Sequence, residues 1–253
     1  IMGVIRSELA EIRTRFGDER RTKIIAGEVG EFSTEDLIPN EATIIMITQD
    51  GYIKRLPPDT FKTQIRGGKG VIGVTTKEED IVEQLMTTST HADLLFFTTR
   101  GRVFQLKAYD VPIGSRTAKG QAIVNFLQLA PDEKVSSVLS GASGVKGGAA
   151  GDNKFLVMVT RQGVIKKSDI ADFESVRRSG LIAVKLHDTD ELSWVKPSKG
   201  SDEIVLVTSD GKAIRFKEAN VRAMGRTAAG VRGIKLKKGD QVVGMDIVTK
   251  GDS

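Results

Sequence analysis

Four times along the chain an apolar run closes on Thr, passes a glycine turn and re-emerges as a strand carrying Lys or Arg: TIIMITQDGYIKRL, LLFFTTRGRVFQL, FLVMVTRQGVIKK and IVLVTSDGKAIRF. The first strand of each pair is nearly all β-branched or aromatic, the composition of a strand buried on both faces. The second alternates, as in Val103, Phe104, Gln105 and Leu106, so one face belongs to a core and the other to solvent. Each hairpin is followed by a basic stretch that ends in glycine: QIRGGKG, SRTAKG, SVRRSG and MGRTAAG. From the turn glycines Gly51, Gly101, Gly163 and Gly211 to the closing glycines Gly70, Gly120, Gly180 and Gly230 the separations are 19, 19, 17 and 19 residues. Two further strand-like runs follow each closing glycine, such as QAIVNFLQL and then EKVSSVL.

Each unit therefore holds about four short strands, and units of this length stack face to face as blades. The predicted fold is all-β, a propeller-like array of four four-stranded blades over about 42–90, 91–139, 154–200 and 201–250. A β-sandwich with chance similarity between its strands is the alternative. The turn-to-turn period is 50, 62 and 48 residues, and the long one contains the Gly/Ala/Ser-rich insert 140–153, which reads as a loop with nothing to pack. Only the N-terminus departs from the pattern. Met2, Ile5, Leu9, Ile12 and Phe16 recur at three-to-four spacing, which predicts a short helix stopped at Gly17. No other run of this kind appears, so the stripe is expected to pack on a helix outside the sequence. The expected division is a helical tail, 1–22, and a β domain, 23–253.

Composition narrows the chemistry. There is no cysteine, which excludes disulfides and thiolate metal sites and is compatible with a reducing cytoplasm. No run of 18 apolar residues occurs, and Arg6 and Glu8 stand where a signal peptide needs its apolar stretch, so a soluble protein is expected. His91 and His187 are isolated, without metal-ligand spacing, and no metal or catalytic site is expected. Tyr52 and Tyr109 lie inside the repeats and read as packing or rim residues. The acidic residues, among them Glu78, Glu79, Asp80, Glu83, Asp132, Glu133, Asp188, Asp190, Glu191, Asp202 and Glu203, read as solvated turn residues.

The net charge is only +5, but it is segregated. The windows 51–70, 100–120, 161–185 and 211–238 hold 25 of the 38 basic residues and 6 of the 33 acidic ones, so equivalent loops of stacked blades form a basic rim. Its candidates are Lys54, Arg55, Arg100, Arg102, Arg116, Lys119, Lys166, Lys167, Arg177, Arg178, Lys212, Arg215, Arg222, Arg226 and Arg232. Cations repeated in phase suit successive phosphates of a polyanion; solubility decoration is the plainer alternative. The sharpest local signal is QIRGGKG, where Gly67 and Gly68 let backbone N–H groups approach a phosphate between Arg66 and Lys69. On its own such a loop is as readily a tight turn. It is not a Walker P-loop, since Gly70 follows Lys69 where Ser or Thr is required.

At six positions of seven, QIRGGKG resembles the Q-R-R-G-G-K-G box of the bacterial DNA gyrase A subunit; Ile65 replaces its first Arg and removes one charge. THADLLFFTTRGRVFQLKAYDVP, RTAKGQAIVNFLQL and KEANVRAMGRTAAGVRGIKL are similar to segments of the C-terminal DNA-wrapping domain of the same type IIA topoisomerase family. The resemblance covers essentially the whole chain. It implies a β-pinwheel, whose blades exchange strands and whose basic perimeter wraps duplex DNA so that an ATP-driven holoenzyme can introduce negative supercoils. The box role then falls on Gln64, Arg66, Gly67, Gly68, Lys69 and Gly70. Also implied are a chain inactive by itself, ATP and magnesium held elsewhere in the holoenzyme, the gyrase B protein and a second copy of gyrase A as partners, a monomeric isolated domain, and a cytoplasmic, nucleoid-associated location. The A-type subunit of topoisomerase IV shares the fold but usually has a degraded box. A propeller that binds an acidic protein is the more distant alternative.

Overall fold

The computed structural model describes residues 1–18, 22, 34–61, 63–70, 80–141, 153–177 and 179–249. The chain divides into two compact units, Ile1–Leu37 and Ile38–Ser253. In the first, helix α1 (Met2–Phe16) ends at Gly17 as the periodicity predicts, with an Arg15–Glu11 ion pair of 2.7 Å one turn apart. None of its side chains is buried, and Met2, Ile5, Leu9, Ile12 and Phe16 are all exposed.

The second unit is built of strands, in four sheets that follow the four repeats. Blade 1 holds β1 (Ala42–Thr48), β2 (Tyr52–Leu56) and β3 (Val82–Ser89). Blade 2 holds β4 (Asp93–Thr98), β5 (Arg102–Lys107) and, after the two-residue β6 (Gln121–Ala122), β7 (Val135–Ser140). Blade 3 repeats this with β8 (Phe155–Thr160), β9 (Val164–Asp169), β10 (Leu181–Ile182) and β11 (Leu192–Ser198). Blade 4 does so with β12 (Glu203–Thr208), β13 (Ala213–Lys217), β14 (Val231–Arg232) and β15 (Val242–Val248).

The short strands cross over. The sheet orders are β3-β1-β2-β6, β7-β4-β5-β10, β11-β8-β9-β14 and, among the described residues, β15-β12-β13. Thus the second, third and fourth repeats each give a two-residue strand to the blade before, in registers Ile53↔Gln121, Val103↔Leu181 and Ile165↔Val231. QAIVNFLQL is accordingly not the full strand its apolar content predicts. After Ala122 the Ile123 N–H turns to the carbonyl of Gly51 (2.8 Å), and the chain leaves the ladder as a 3₁₀ turn, Ile123–Asn125.

The hairpins show why each first strand closes on Thr. Thr48, Thr98, Thr160 and Thr208 are buried, and their hydroxyls accept the N–H of Tyr52, Arg102, Val164 and Lys212 at 3.1–3.3 Å. The intervening glycines Gly51, Gly101, Gly163 and Gly211 have φ between 70 and 79°, a conformation costly for any residue with a Cβ. The core lies between blades. Leu94 and Phe96 pack with Ile45, Ile47 and Ile53 of blade 1, while Leu95 and Phe97, on the other face of the same strand, pack with Leu156, Met158 and Phe173 of blade 3. A third cluster joins Val157, Val159 and Ile165 to Ile204, Leu206 and Val221. β4 and β8 are apolar on both faces because a blade sits on each side of them, whereas β12 packs one face on blade 3 and leaves Val207 exposed on the other.

Candidate nucleic-acid interface

Hydrogen bonds fix which edge of the blades faces outward. The last full strands meet one another: Gln84 Nε2 donates to the Val138 carbonyl (2.7 Å), Val195 N–H to Ser137 Oγ (3.1 Å), and Lys196 pairs with Asp246 (2.6 Å). The exchanged strands β6, β10 and β14 occupy the opposite edge of their sheets. The basic loops run directly into these strands, which puts them on the perimeter.

In these loops and strands Arg116, Arg177, Arg222 and Arg232 are exposed and Lys119 and Arg226 half-buried; Arg66 and Lys69 of the box and Arg100 of a hairpin turn are exposed as well. Lys119 Nζ sits 3.5 Å from the ring centroid of Tyr52, a cation–π contact that holds the ammonium beside β2. Arg215 and Lys212 are accessible but paired, with Glu203 and with Asp240 (3.9 Å). Arg55 is half-buried, its Nε donating to the Val111 carbonyl (3.1 Å), and burial holds its guanidinium below the ordinary value against the raising effect of Glu41. Arg178 lies outside the described residues, as do Lys146, Glu78 and Glu79.

Four rim candidates behave otherwise than predicted. Lys54 and Lys166 are each 1 % exposed and Lys167 6 %. Their ammoniums bond to protein, and burial lowers the pKa of Lys54 and brings Lys166 to about 8. Lys167 joins blades 3 and 4 by donating to the Glu218 carbonyl (3.2 Å), with the wholly buried Glu218 carboxylate at 3.6 Å and the Phe155 ring centroid at 4.9 Å. Arg102 is neutralised by Glu133, donating from Nε (2.9 Å) and from a second nitrogen, and its guanidinium stands 4.8 Å from the centre of the Phe104 ring. The Glu133 hydrogen bond and charge raise its pKa. The three lysines are closed off from a phosphate by the next unit's loop or a buried acid, and Arg102, though partly exposed, is already paired.

The box, 64–70, is a self-closed loop. Gln64 Oε1 accepts the Gly70 N–H at 3.0 Å, and the Gly68 N–H turns back to the Ile65 carbonyl at 3.0 Å. A Cβ on Gly68 would lie 2.6 Å from Gln64 Oε1, and Gly67 and Gly70 have φ of 88° and 69°. Gln64 and the three glycines are thus what the turn requires, while Arg66 and Lys69 point to solvent from it. Ile65 is 88 % exposed, so an apolar side chain stands at the surface where the box has a cation.

The acids are also placed differently from the prediction. Asp80, Glu133 and Asp190 are buried and Asp240 half-buried. Asp80, Asp190 and Asp240 accept the N–H of Asp50, Gln162 and Asp210, the residues just before three of the turn glycines, at 2.9–3.1 Å. In the second unit Glu133 instead takes Thr98 Oγ1 (2.6 Å), Arg102 and the Ala130 N–H (2.9 Å). Burial favours its neutral form, but these donors outweigh it and hold the carboxyl below the usual carboxylate range. These four carboxylates are thereby tied to the hairpin turns, while Asp50 and Asp210 of the turns themselves stay exposed. No cluster of three potential metal ligands occurs among the described residues, and no helix there is long and apolar enough to cross a membrane.

The profile of the family described as DNA gyrase C-terminal domain, beta-propeller, matches residues 42–89, 92–147, 154–199 and 202–249, one segment per blade. The chain belongs to this family. It is 46 % identical over 247 residues to the DNA gyrase A protein of Staphylococcus aureus strain NCTC 8325 / PS 47, covering 98 % of the chain and 27 % of that protein, so it spans about a quarter of that relative's length. Among solved structures, the C-terminal domain of DNA topoisomerase IV matches with a TM-score of 0.67 at 26 % identity, covering 85 % of this chain and 64 % of that one. A DNA gyrase A C-terminal domain matches at 0.60 and 26 % identity, with 81 % and 64 % covered. The DNA gyrase C-terminal fold thus accounts for the blades.

Proposed function

We propose that this chain is the DNA-wrapping domain of gyrase A, a non-catalytic part of a type II topoisomerase. One observation carries the reading: exposed arginines recur on the basic loops that lead into the exchanged strands of successive blades. A duplex laid on that perimeter meets Arg66 and Lys69, then Arg116 and Lys119, Arg177, Arg222 and Arg232. Bending a short duplex by 40–90° costs on the order of 1–6 kcal/mol, so these contacts must act together. On this reading double-stranded DNA, the gyrase B protein and a second copy of gyrase A are the partners, ATP and magnesium are bound elsewhere in the holoenzyme, and the location is cytoplasmic.

Affinity measured against duplex length and salt tests it. Affinity should rise with length until the perimeter is covered, and its logarithm should fall by about 0.9 per phosphate neutralised per decade of salt. Weak, length-independent binding overturns the reading in favour of a protein-binding propeller. A topoisomerase IV assignment has one point in its favour, the higher TM-score at equal identity. The closed box and the 46 % identity to a gyrase A protein weigh more. Relaxation of a circular plasmid in the presence of the protein separates the two: gyrase-type wrapping shifts the linking number through a positive crossing.

A further inference from the structure

We infer that Lys54 and Lys166 are positioning residues for the basic loops: each sends a buried ammonium from one blade into the carbonyls of the next unit's loop and fixes how that loop presents its arginine. From β2, Lys54 Nζ donates to the carbonyls of Ser115 (3.3 Å), Arg116 (2.7 Å) and Ala118 (2.8 Å). From the equivalent place on β9, Lys166 Nζ donates to the carbonyls of Arg226 and Ala183 (2.6 Å). Ala183 N–H in turn bonds the Gly101 carbonyl (2.8 Å), so this ammonium links blades 2, 3 and 4. The loops press on the strands as well. A Cβ on Gly114 would meet Lys54 Cδ at 3.1 Å, and one on Gly120 or Gly230 would reach the carbonyl oxygen of Ile53 or Ile165 at 2.5–2.6 Å.

The chain contains its own control. Both lysines stand three residues after a turn glycine, and both loops they hold read Arg-Thr-Ala-x-Gly. In blade 2 that position is Phe104, and the loop facing it reads Val-Arg-Arg-Ser-Gly, seated on the aromatic ring: a Cβ on Gly180 would come within 2.7 Å of it. A lysine and the Arg-Thr-Ala loop therefore occur together, and an aromatic residue goes with the other loop. An ammonium has three donors and no acceptor, which suits a cluster of inward-facing carbonyls. With its carbonyl held inward, Arg116 leaves the loop toward solvent and is exposed.

The inference rests on the reading that these loops touch DNA, and the experiment separates the two. Hydrogen exchange is measured in the wild-type chain and in Lys54→Met and Lys166→Met. Lys54→Gln and Lys166→Gln, neutral and shorter but still donors, are measured alongside and stand in for any Met variant that fails to fold. Lys54→Met should speed exchange in 114–120 at least about tenfold and leave 224–230 unchanged, Lys166→Met should do the reverse, and 176–180 should be unaffected in both. Each Met variant should bind duplex DNA several-fold more weakly with a salt slope reduced by about one phosphate, and Arg116→Gln should add little to Lys54→Met. Unchanged exchange in the facing loop overturns the inference, as does unchanged DNA affinity where Arg116→Gln alone lowers it. Wild-type protein that fails to bind duplex overturns the DNA reading, and the inference with it, even if the loop exchange responds as described.

Discussion

A buried charge adds to stability only where its partners outweigh desolvation, and Glu133 and Lys166 fall on opposite sides of that balance. The Glu133 carboxyl lies below its ordinary pKa, so its contribution to stability is present above the unfolded value of roughly 4.3 and is lost as pH falls through the lower folded one. Glu133→Gln should cost about 2–3 kcal/mol at neutral pH, discounted from a fully buried pair because the Arg102 side chain is 30 % exposed. In urea titrations the gap to wild type should close as pH drops below about 4. Lys166 has the opposite sense. Its folded pKa of about 8 lies below the ordinary 10.5, so keeping it charged weakens folding below pH 8, and the weakening is relieved between pH 8 and 10.5. The stability of wild type relative to Lys166→Met should therefore grow over that interval; a constant difference would show that Lys166 titrates normally. None of this was legible in the sequence, because a Lys next to alternating strand residues reads as solvent-facing. The missing signal was the joint recurrence of a lysine three residues past the turn glycine and an Arg-Thr-Ala loop in the unit that follows.

The elements themselves were far more legible. Thr-turn-Gly spacing marked every hairpin, and continuous apolar runs identified β4 and β8 as strands covered on both faces, while β12, equally apolar, has Val207 exposed. What the pattern could not reveal was the length and destination of β6, β10 and β14. Two residues are too few to show a period, and their partners lie in the preceding unit. The closing glycines carry that exchange. Gly120 has φ 94° and approaches the Ile53 carbonyl so closely that a Cβ would sit 2.5 Å from it. Gly120→Ala should lose about 2–4 kcal/mol through strain and displacement of β6, whereas Gly211→Ala, with open space around it, should show only the cost of its φ, about 1 kcal/mol. Thermal unfolding of the two variants side by side measures the difference.

At the scale of the whole molecule, charge segregation was visible in the sequence, but the working surface was not. Three lysines counted toward the rim are interior, and Arg102 is paired with a buried acid. Reversal of Arg116, Arg177, Arg222 and Arg232 to Glu should abolish duplex binding at moderate salt while shifting thermal stability by no more than about 0.5 kcal/mol per site, since exposed charges contribute little to folding. Any one of the four changes alone should lower affinity only a few-fold in an anisotropy titration.

Strand exchange also sets an order of events in time. Ile53 waits for Gln121, and Ile165 for Val231, before their sheets gain an outer strand. During synthesis from the N-terminus, blades 1 to 3 therefore each stay one strand short until most of the next unit has left the ribosome. The nascent chain carries one open sheet edge that advances along it, and the edge is closed by the same segment whose loop is proposed to meet DNA. Folding should accordingly be sequential and slow for its size, with barriers set by pairings nearly seventy residues apart.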